Sequence, residues 1–366
     1  MTLTDAHLRQ PSTRTQQRNE RARPTRSGPL LAGLAVADAH EPLSQAEALE
    51  GLGLAEDEFA QRIFARAGVH RRLLNLDEHY LARNLQGRTG QVEAELLAVA
   101  VRTIDGLAID PRTIGTLITS SLYSLGCPTL AHRLIEHYGM EPSTDKYHVT
   151  GVGCASAVPL LRLGVRSLDH DSGRNVLVVA AESMSSILMA ATEEDPRAKT
   201  VASAIFGDGC AAALLSPQGA GAGPSILATR VHQIPGTLDA VTLAAKTDDS
   251  YLYLARELPD LAAAGLAGLV QRLLADNGIT TAEIDHWIVH PGGRRIVEEV
   301  RDALRLEDDD VEISWRVLAE RGNVGTPSIF YVLRSTLDER KPTSGQHGLM
   351  VTIGPGVTVG LMLLRF

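Results

Sequence analysis

Apolar and polar positions follow two periods along this chain. LLAGLAVA from Leu30, GTLITSSL (115–122) and NVLVVAAE (175–182) are runs of apolar and β-branched residues, the pattern of strands buried on both faces. LSQAEALEGLG carries helix formers and stops at glycine, and EDEFAQRIFARAGVHRRLLNL continues with helical spacing into a basic cluster. PTLAHRLIEHYGM and CASAVPLLRLGVRSLDHD also have the helical period, so strand and helix alternate until FGDGCAAALLS closes the pattern near residue 216. The alternation then restarts. PSILATRVHQI, AVTLAAK and HWIVH predict strands, LPDLAAAGLAGLVQRLLADNG predicts one long helix, and VGTPSIFYVLRSTLDE predicts another. GLMVTIGPGVTVGLMLLRF supplies two closing strands around a tight turn.

Two echoes point to a duplicated α/β architecture. GDGCAAALL (207–215) and GPGVTVGLMLL (354–364) each set Gly-X-Gly before an apolar strand. VGCASAVPLLRL and NVGTPSIFYVLRS each open an apolar helix with small residues. Two such halves, over 30–220 and 221–366, would bring both helix N-termini toward one central site. Residues 1–29, rich in Arg, Ser, Thr and Gln, bury too little to offset their ordering entropy and are expected to form a flexible tail.

Composition narrows the function. Of 366 residues, 44% are hydrophobic and 22% charged, as in a soluble globular protein. A net charge of -9 and 4% aromatic residues argue against nucleic acid or an anionic membrane as partner. No run reaches the ~18 apolar residues of a membrane span, and the N-terminus lacks the apolar core of a signal peptide. Three irregularly spaced cysteines make neither a disulfide framework nor a metal site, which fits a reducing, cytoplasmic setting.

One of those cysteines sits in TGVGCASAVPLLRLG. Gly151 and Gly153 permit a tight turn into a helix, and Pro159 is tolerated only near the first helical turn. Cys154 therefore lies where unpaired N–H groups and the helix dipole favour a thiolate. The competing reading is a packed core thiol, the usual fate of a free cysteine. Cys210, inside a predicted strand, is assigned to the core, and Cys127, in the turn LGCPTL, to structure or an interface. A nucleophile needs a base and an oxyanion donor. His290 ends HWIVH and is followed by Pro-Gly-Gly, a setting that His137, His148 and His170 lack. Asn323, in RGNVGTPS, can serve as a helix cap or as an amide donor.

GVGCASAVPLLRLG, IFGDGCAAAL, WIVHPGGRRIVEEV, RGNVGTPSIFYVL and IGPGVTVGLML occur in an order that resembles the type III polyketide synthases, the chalcone synthase superfamily, bacterial members above all. The resemblance covers about residues 30–366. It implies a thiolase-like αβαβα fold, a homodimer, and a catalytic triad of Cys154, His290 and Asn323. It further implies a gate at Phe206, a cavity wall at Gly354, Pro355 and Gly356, and CoA thioesters as substrates with no metal or redox cofactor. In that scheme a Cys154 thiolate paired with a His290 imidazolium takes an acyl group from acyl-CoA, and malonyl-CoA extends it with loss of CO2. Met184, Ile187, Leu252 and Gly325 stand where plant members carry other cavity residues, implying a more apolar pocket. Arg62 and Arg66, four apart on one helix face, match the family's CoA-contacting positions, with Arg71, Arg72 and Arg295 nearby. Rival readings are a β-ketoacyl-ACP synthase III-like enzyme making one condensation, a papain-like hydrolase, and a non-catalytic scaffold.

Overall fold

The computed structural model describes residues 28–366 except 82, 84, 123, 125, 169–172, 188–195, 218–221 and 246–249, so the expected tail and His170 lie outside the described residues, apart from the tail's last two positions. The strands are β1 Leu30–Asp38, β2 Pro42–Ser44, β3 Arg71–Leu73, β4 Ile114–Ser120, β5 Asp145–Val149, β6 Asn175–Glu182 and β7 Gly209–Ser216. They continue with β8 Ser225–Gln233, β9 Val241–Ala245, β10 Ser250–Leu254, β11 His286–Val289, β12 His347–Gly354 and β13 Thr358–Arg365. Nine of them form one sheet in the order β11-β12-β13-β8-β1-β7-β6-β4-β5.

That order contains the same unit twice. In the first half β4 runs parallel to β6, β6 antiparallel to β7, and β7 antiparallel to β1. In the second, β11 runs parallel to β12, β12 antiparallel to β13, and β13 antiparallel to β8. Within the sheet the halves join where β1 meets β8, in register at Leu30 and Ser225.

Strand alternation explains the layers. Val176, Val178 and Ala180 of β6 join a central core, while Leu177, Val179 and Ala181 join an outer one. In β13, Met362 and Leu364 face the centre, while Leu361 and Leu363 face the other outer core. The central core holds the apolar faces of helices Ala157–Leu168 and Ser328–Ser335, sandwiched between the half-sheets. Helix Leu85–Asp105 covers the first half outside, and helices Leu266–Asp276 and Arg294–Leu304 cover the second. This is the αβαβα arrangement. Cys210 is fully buried in the first outer core, as its strand position predicts.

Two expectations change. The single helix expected over 258–278 is two, Leu258–Ala263 and Leu266–Asp276, because Ala264 turns extended and Gly265 adopts a left-handed φ of 76°. The break lets Leu258 and Ala262, then Leu266, Leu269, Val270, Leu273 and Leu274, pack on the same outer core. By length and composition 258–276 is apolar enough to cross a membrane, yet this face is spent on the protein's own sheet. The basic cluster after the helix Glu58–Arg66 also divides: Arg71 is exposed, whereas Arg72 is fully buried.

Candidate active site

Cys154 stands at the joint between β5 and the first sandwiched helix. Gly151 and Gly153 take left-handed φ values of 81° and 61°, and a short 3-10 turn, Gly153–Ala155, carries the cysteine into the helix Ala157–Leu168. Pro159 falls in the first turn of that helix. The β12–β13 turn presses on this joint: a Cβ at Gly354 would stand 2.4 Å from the Ala155 nitrogen, and one at Gly153 would stand 3.0 Å from the Pro355 ring. Two glycine turns, one from each half, therefore pack backbone against backbone beneath the sulfur.

Asn323 comes from the equivalent joint of the second half. The helix there begins only at Ser328, so Asn323 is not its cap. Its backbone is clamped to the strand-like segment at Phe206, with Asn323 N–H donating to Ile205 O at 2.8 Å and Gly207 N–H to Asn323 O at 3.0 Å. Oδ1 accepts from Gly325 N–H at 2.9 Å and from the Ser328 hydroxyl at 3.2 Å. A backbone N–H can only donate, so the amide cannot be flipped, and Nδ2 is left to donate. It reaches Gly292 O at 3.2 Å and lies 3.6 Å from Cys154 Sγ.

His290 follows β11, its N–H donating to Val351 O at 2.9 Å. The imidazole is buried, and among the described residues neither ring nitrogen has a hydrogen-bond partner. Its Cδ2–Nε2 edge lies against Gly292, where an added Cβ would be 3.2 Å from Cδ2 and 3.5 Å from Nε2. The imidazole edge and the Asn323 amide thus converge on Gly292, and both line the cavity that holds Cys154.

The electrostatics differ from the expected ion pair. Burial pushes the Cys154 thiol up to about 12, with the Glu182 carboxylate adding to the rise and the Asn323 hydrogen bond opposing it. Burial alone pulls the His290 imidazole down to about 3. Both shifts favour the neutral form of each group.

The cavity encloses about 520 Å³. Of the residues singled out in the sequence, Phe206, Met184, Leu252, Gly325, Gly354 and Pro355 line it. Ile187 does not: it packs behind the wall in the cluster of Met184, Phe206 and Leu252. Gly356 also stands outside the lining, against the Gln233 side chain. The far wall is the β9–β10 ribbon, with Val241, Leu243, Leu252 and Leu254. Glu182, Cys154, His290 and Asn323 are among its polar lining residues, and Val241, Leu243, Leu252, Leu254 and Leu258 are among the apolar ones.

Arg62 and Arg66 are exposed on the helix Glu58–Arg66, with Arg62 3.7 Å from Glu58. Arg295 is exposed one residue before the cavity-lining Ile296 and lies 3.7 Å from Asp260 and 3.6 Å from Glu299. A Cβ on Gly68 would come within 3.1 Å of the Arg294 side chain, so the two basic segments adjoin. Arg72 is not part of this surface. Its NH1 donates to the carbonyl oxygens of Ser203 and Phe206, and its guanidinium stacks 5.1 Å from the Phe64 ring centroid. Burial pulls it down to about 9, still cationic at neutral pH. It braces the Phe206 backbone.

Sequence reasoning passed over two buried acids. Asp208, the middle of GDG, accepts from Ser185 N–H at 2.8 Å and contacts His40 Nε2 at 3.0 Å. Glu182 ends β6 and lines the cavity. The available signal was a lone carboxylate closing the apolar run NVLVVAAE.

Comparison with known proteins gives a consistent picture. Residues 37–228 match the family described as FAE1/Type III polyketide synthase-like protein, and residues 226–366 match the chalcone and stilbene synthases, C-terminal domain. The chain is 31% identical over 320 residues to a 1,3,6,8-tetrahydroxynaphthalene synthase of Streptomyces peucetius subsp. caesius, covering 84% of this chain and 83% of that protein. It is 26% identical over 366 residues to a 3,5-dihydroxyphenylacetyl-CoA synthase of Streptomyces toyocaensis, covering 94% and 92%. Among solved structures, PKS-I from the brown alga Ectocarpus siliculosus superposes with a TM-score of 0.84 at 25% identity, covering 93% of this chain and 98% of that one.

Proposed function

Since the chain belongs to the type III polyketide synthases, enzymes that catalyse condensation, we propose that Cys154 is its acyl-carrying nucleophile, with His290 as base and Asn323 as oxyanion donor. The observation that carries this reading is the convergence of Cys154, the fixed Asn323 amide and an unpartnered imidazole in one cavity.

On this reading the enzyme is an acyltransferase. Cys154 Sγ attacks the carbonyl carbon of an acyl-CoA thioester, its proton passes to His290, and that proton leaves with the CoA thiolate. Burial resists either charge alone, so proton transfer is favourable only as a pair, where imidazolium and anion stabilise each other. Malonyl-CoA enters next. Its bond to the carboxylate breaks, CO2 leaves, and the electron pair becomes an enolate whose oxygen accepts from Asn323 Nδ2–H and from an N–H of His290. An aimed donor in such a dry site contributes about 3–4 kcal/mol. The enolate carbon attacks the acyl-Cys154 carbonyl, Sγ leaves, and a β-ketoacyl-CoA results. Sγ leaves as a thiolate, so one proton from solvent is taken up for each CO2 released, and atoms and charges then balance with no other reactant. The adjoining Arg62, Arg66 and Arg295 supply positive charge for CoA phosphates. The outer strand β5, with Tyr147 44% exposed, suits pairing with a second copy in a homodimer. The unpaired thiols suit a cytoplasmic setting.

The test is intact mass after incubation with malonyl-CoA alone and with a panel of acyl-CoAs. An acyl adduct on Cys154, with products extended more than once from free malonyl-CoA, supports the proposal. A strict need for a carrier protein and one condensation would favour the β-ketoacyl-ACP synthase III-like alternative.

A further inference from the structure

The condensation scheme makes no use of Glu182, although it is 2% exposed and lines the same cavity. Its Oε2 accepts the Leu122 N–H at 2.7 Å, and the Ser121 hydroxyl also bonds the carboxyl. Its Oε1 lies 3.2 Å from Thr326 Oγ1. That hydroxyl is at the same time 3.0 Å from the carbonyl oxygen of Gly153, the residue before Cys154. A threonine hydroxyl has one proton to give, and a carbonyl can only accept. If Thr326 donates to Gly153, the contact with Oε1 is bonding only when Oε1 itself carries a proton.

We propose that Glu182 is a positioning residue that works as the neutral acid. Its Oε1–H donates to Thr326, whose hydroxyl donates to Gly153 O and fixes the turn that aims Cys154. Ionisation of Glu182 turns the Thr326 hydroxyl to donate to the carboxylate instead, frees the Gly153 carbonyl and sets a negative charge beside the sulfur. The titratable groups around the carboxyl are Cys154 from the 3-10 turn, His290 across the cavity, Asp208 before β7 and Cys210 on β7, with His40 beyond Asp208. The partners from the loop after β4 and from the segment before helix Ser328–Ser335 are uncharged. Burial pushes Glu182 up to about 7, and the Asp208 carboxylate adds to the rise against the hydrogen bonds from Leu122, Thr326 and Ser121. The brace therefore opens near neutral pH.

The inference rests on Cys154 being the nucleophile, but its test reads thiol chemistry, so a failed polyketide assay leaves it intact. Iodoacetamide alkylation of Cys154 is followed by peptide-resolved mass spectrometry from pH about 6 to about 8.5, with exposed Cys127 as reference. The ratio of the Glu182→Gln rate to the wild-type rate should rise by about threefold or more across that range, because the amide keeps the donor and never ionises. For Thr326→Val the ratio to wild type should be about threefold lower at the acid end than at the alkaline end, since only the acid form has a brace to lose. Thr326→Ser should restore the wild-type profile. Ratios that stay constant with pH, the mark of a merely structural role, overturn the proposal, and so does a Thr326→Val protein matching wild type at pH about 6.

Discussion

The two halves share a backbone plan but divide the chemistry between them. Each sandwiched helix is preceded by a glycine-bearing turn, Gly151–Gly153 in the first half and Gly322–Gly325 in the second, all but residues 152, 323 and 324 with glycine φ values from 61° to 81°. The first turn presents Cys154, and the second presents Asn323. The strand pair β4 and β6 leads to Ser121 and Glu182, whereas its counterpart β11 and β12 leads to His290 and Gly354. The first half thus supplies the sulfur and a buried acid, and the second supplies donors and a flat glycine surface. Symmetry of the main chain places these strand and helix ends around one cavity, and the asymmetry of side chains sets the acid, the sulfur, the imidazole and the amide there.

The largest test of this division is Cys154→Ala, which should abolish the acyl adduct in intact mass and lower turnover by ~10⁴-fold or more. Next come the donors of the second half. Asn323→Ala should slow malonyl-CoA decarboxylation by about 10²–10³ while sparing acyl loading, a split readable by following CO2 release and Cys154 mass separately. Equal damage to both steps would erase the proposed division.

Glu182 gives a thermodynamic version of the contrast. Its carboxyl is held at about 7 when folded, against an ordinary value of 4.5. The native state therefore holds that proton more tightly, and the contribution is complete below pH 4.5 and lost as pH rises through about 7. Denaturant unfolding should show Glu182→Gln gaining about 3 kcal/mol on wild type across that window. His290 has the opposite sign. Its depressed value costs stability as pH falls below 6.5 toward about 3, and His290→Gln should flatten the acid limb. A smaller effect is expected where the halves touch. Gly153→Ala puts a Cβ 3.0 Å from Pro355 at a φ of 61°, and should cost about 1–3 kcal/mol by the same measurement. Smallest of all, Arg62→Ala should change stability by less than about 0.5 kcal/mol, since its pair with Glu58 is exposed. Its effect should be confined to a few-fold rise in KM for CoA thioesters.

The sequence by itself determined the strands buried on both faces, the duplicated order and the glycine-framed positions of Cys154, His290 and Asn323. Those properties are local: period, β-branching and tolerance of left-handed backbone are set within a few residues. It did not give the break at Gly265, because a glycine in a helical pattern is tolerated until packing favours two shorter helices. It did not separate Arg72 from the exposed Arg71, because only the fold shows that one guanidinium is enclosed by Phe64 and the Phe206 backbone. Nor did it give the charge state of the site. Helix position argues for a thiolate, but the balance is decided by how much water the surrounding layers remove and by a carboxyl that arrives from β6. Desolvation is a property of everything packed around a group, so it appears only when both halves have closed.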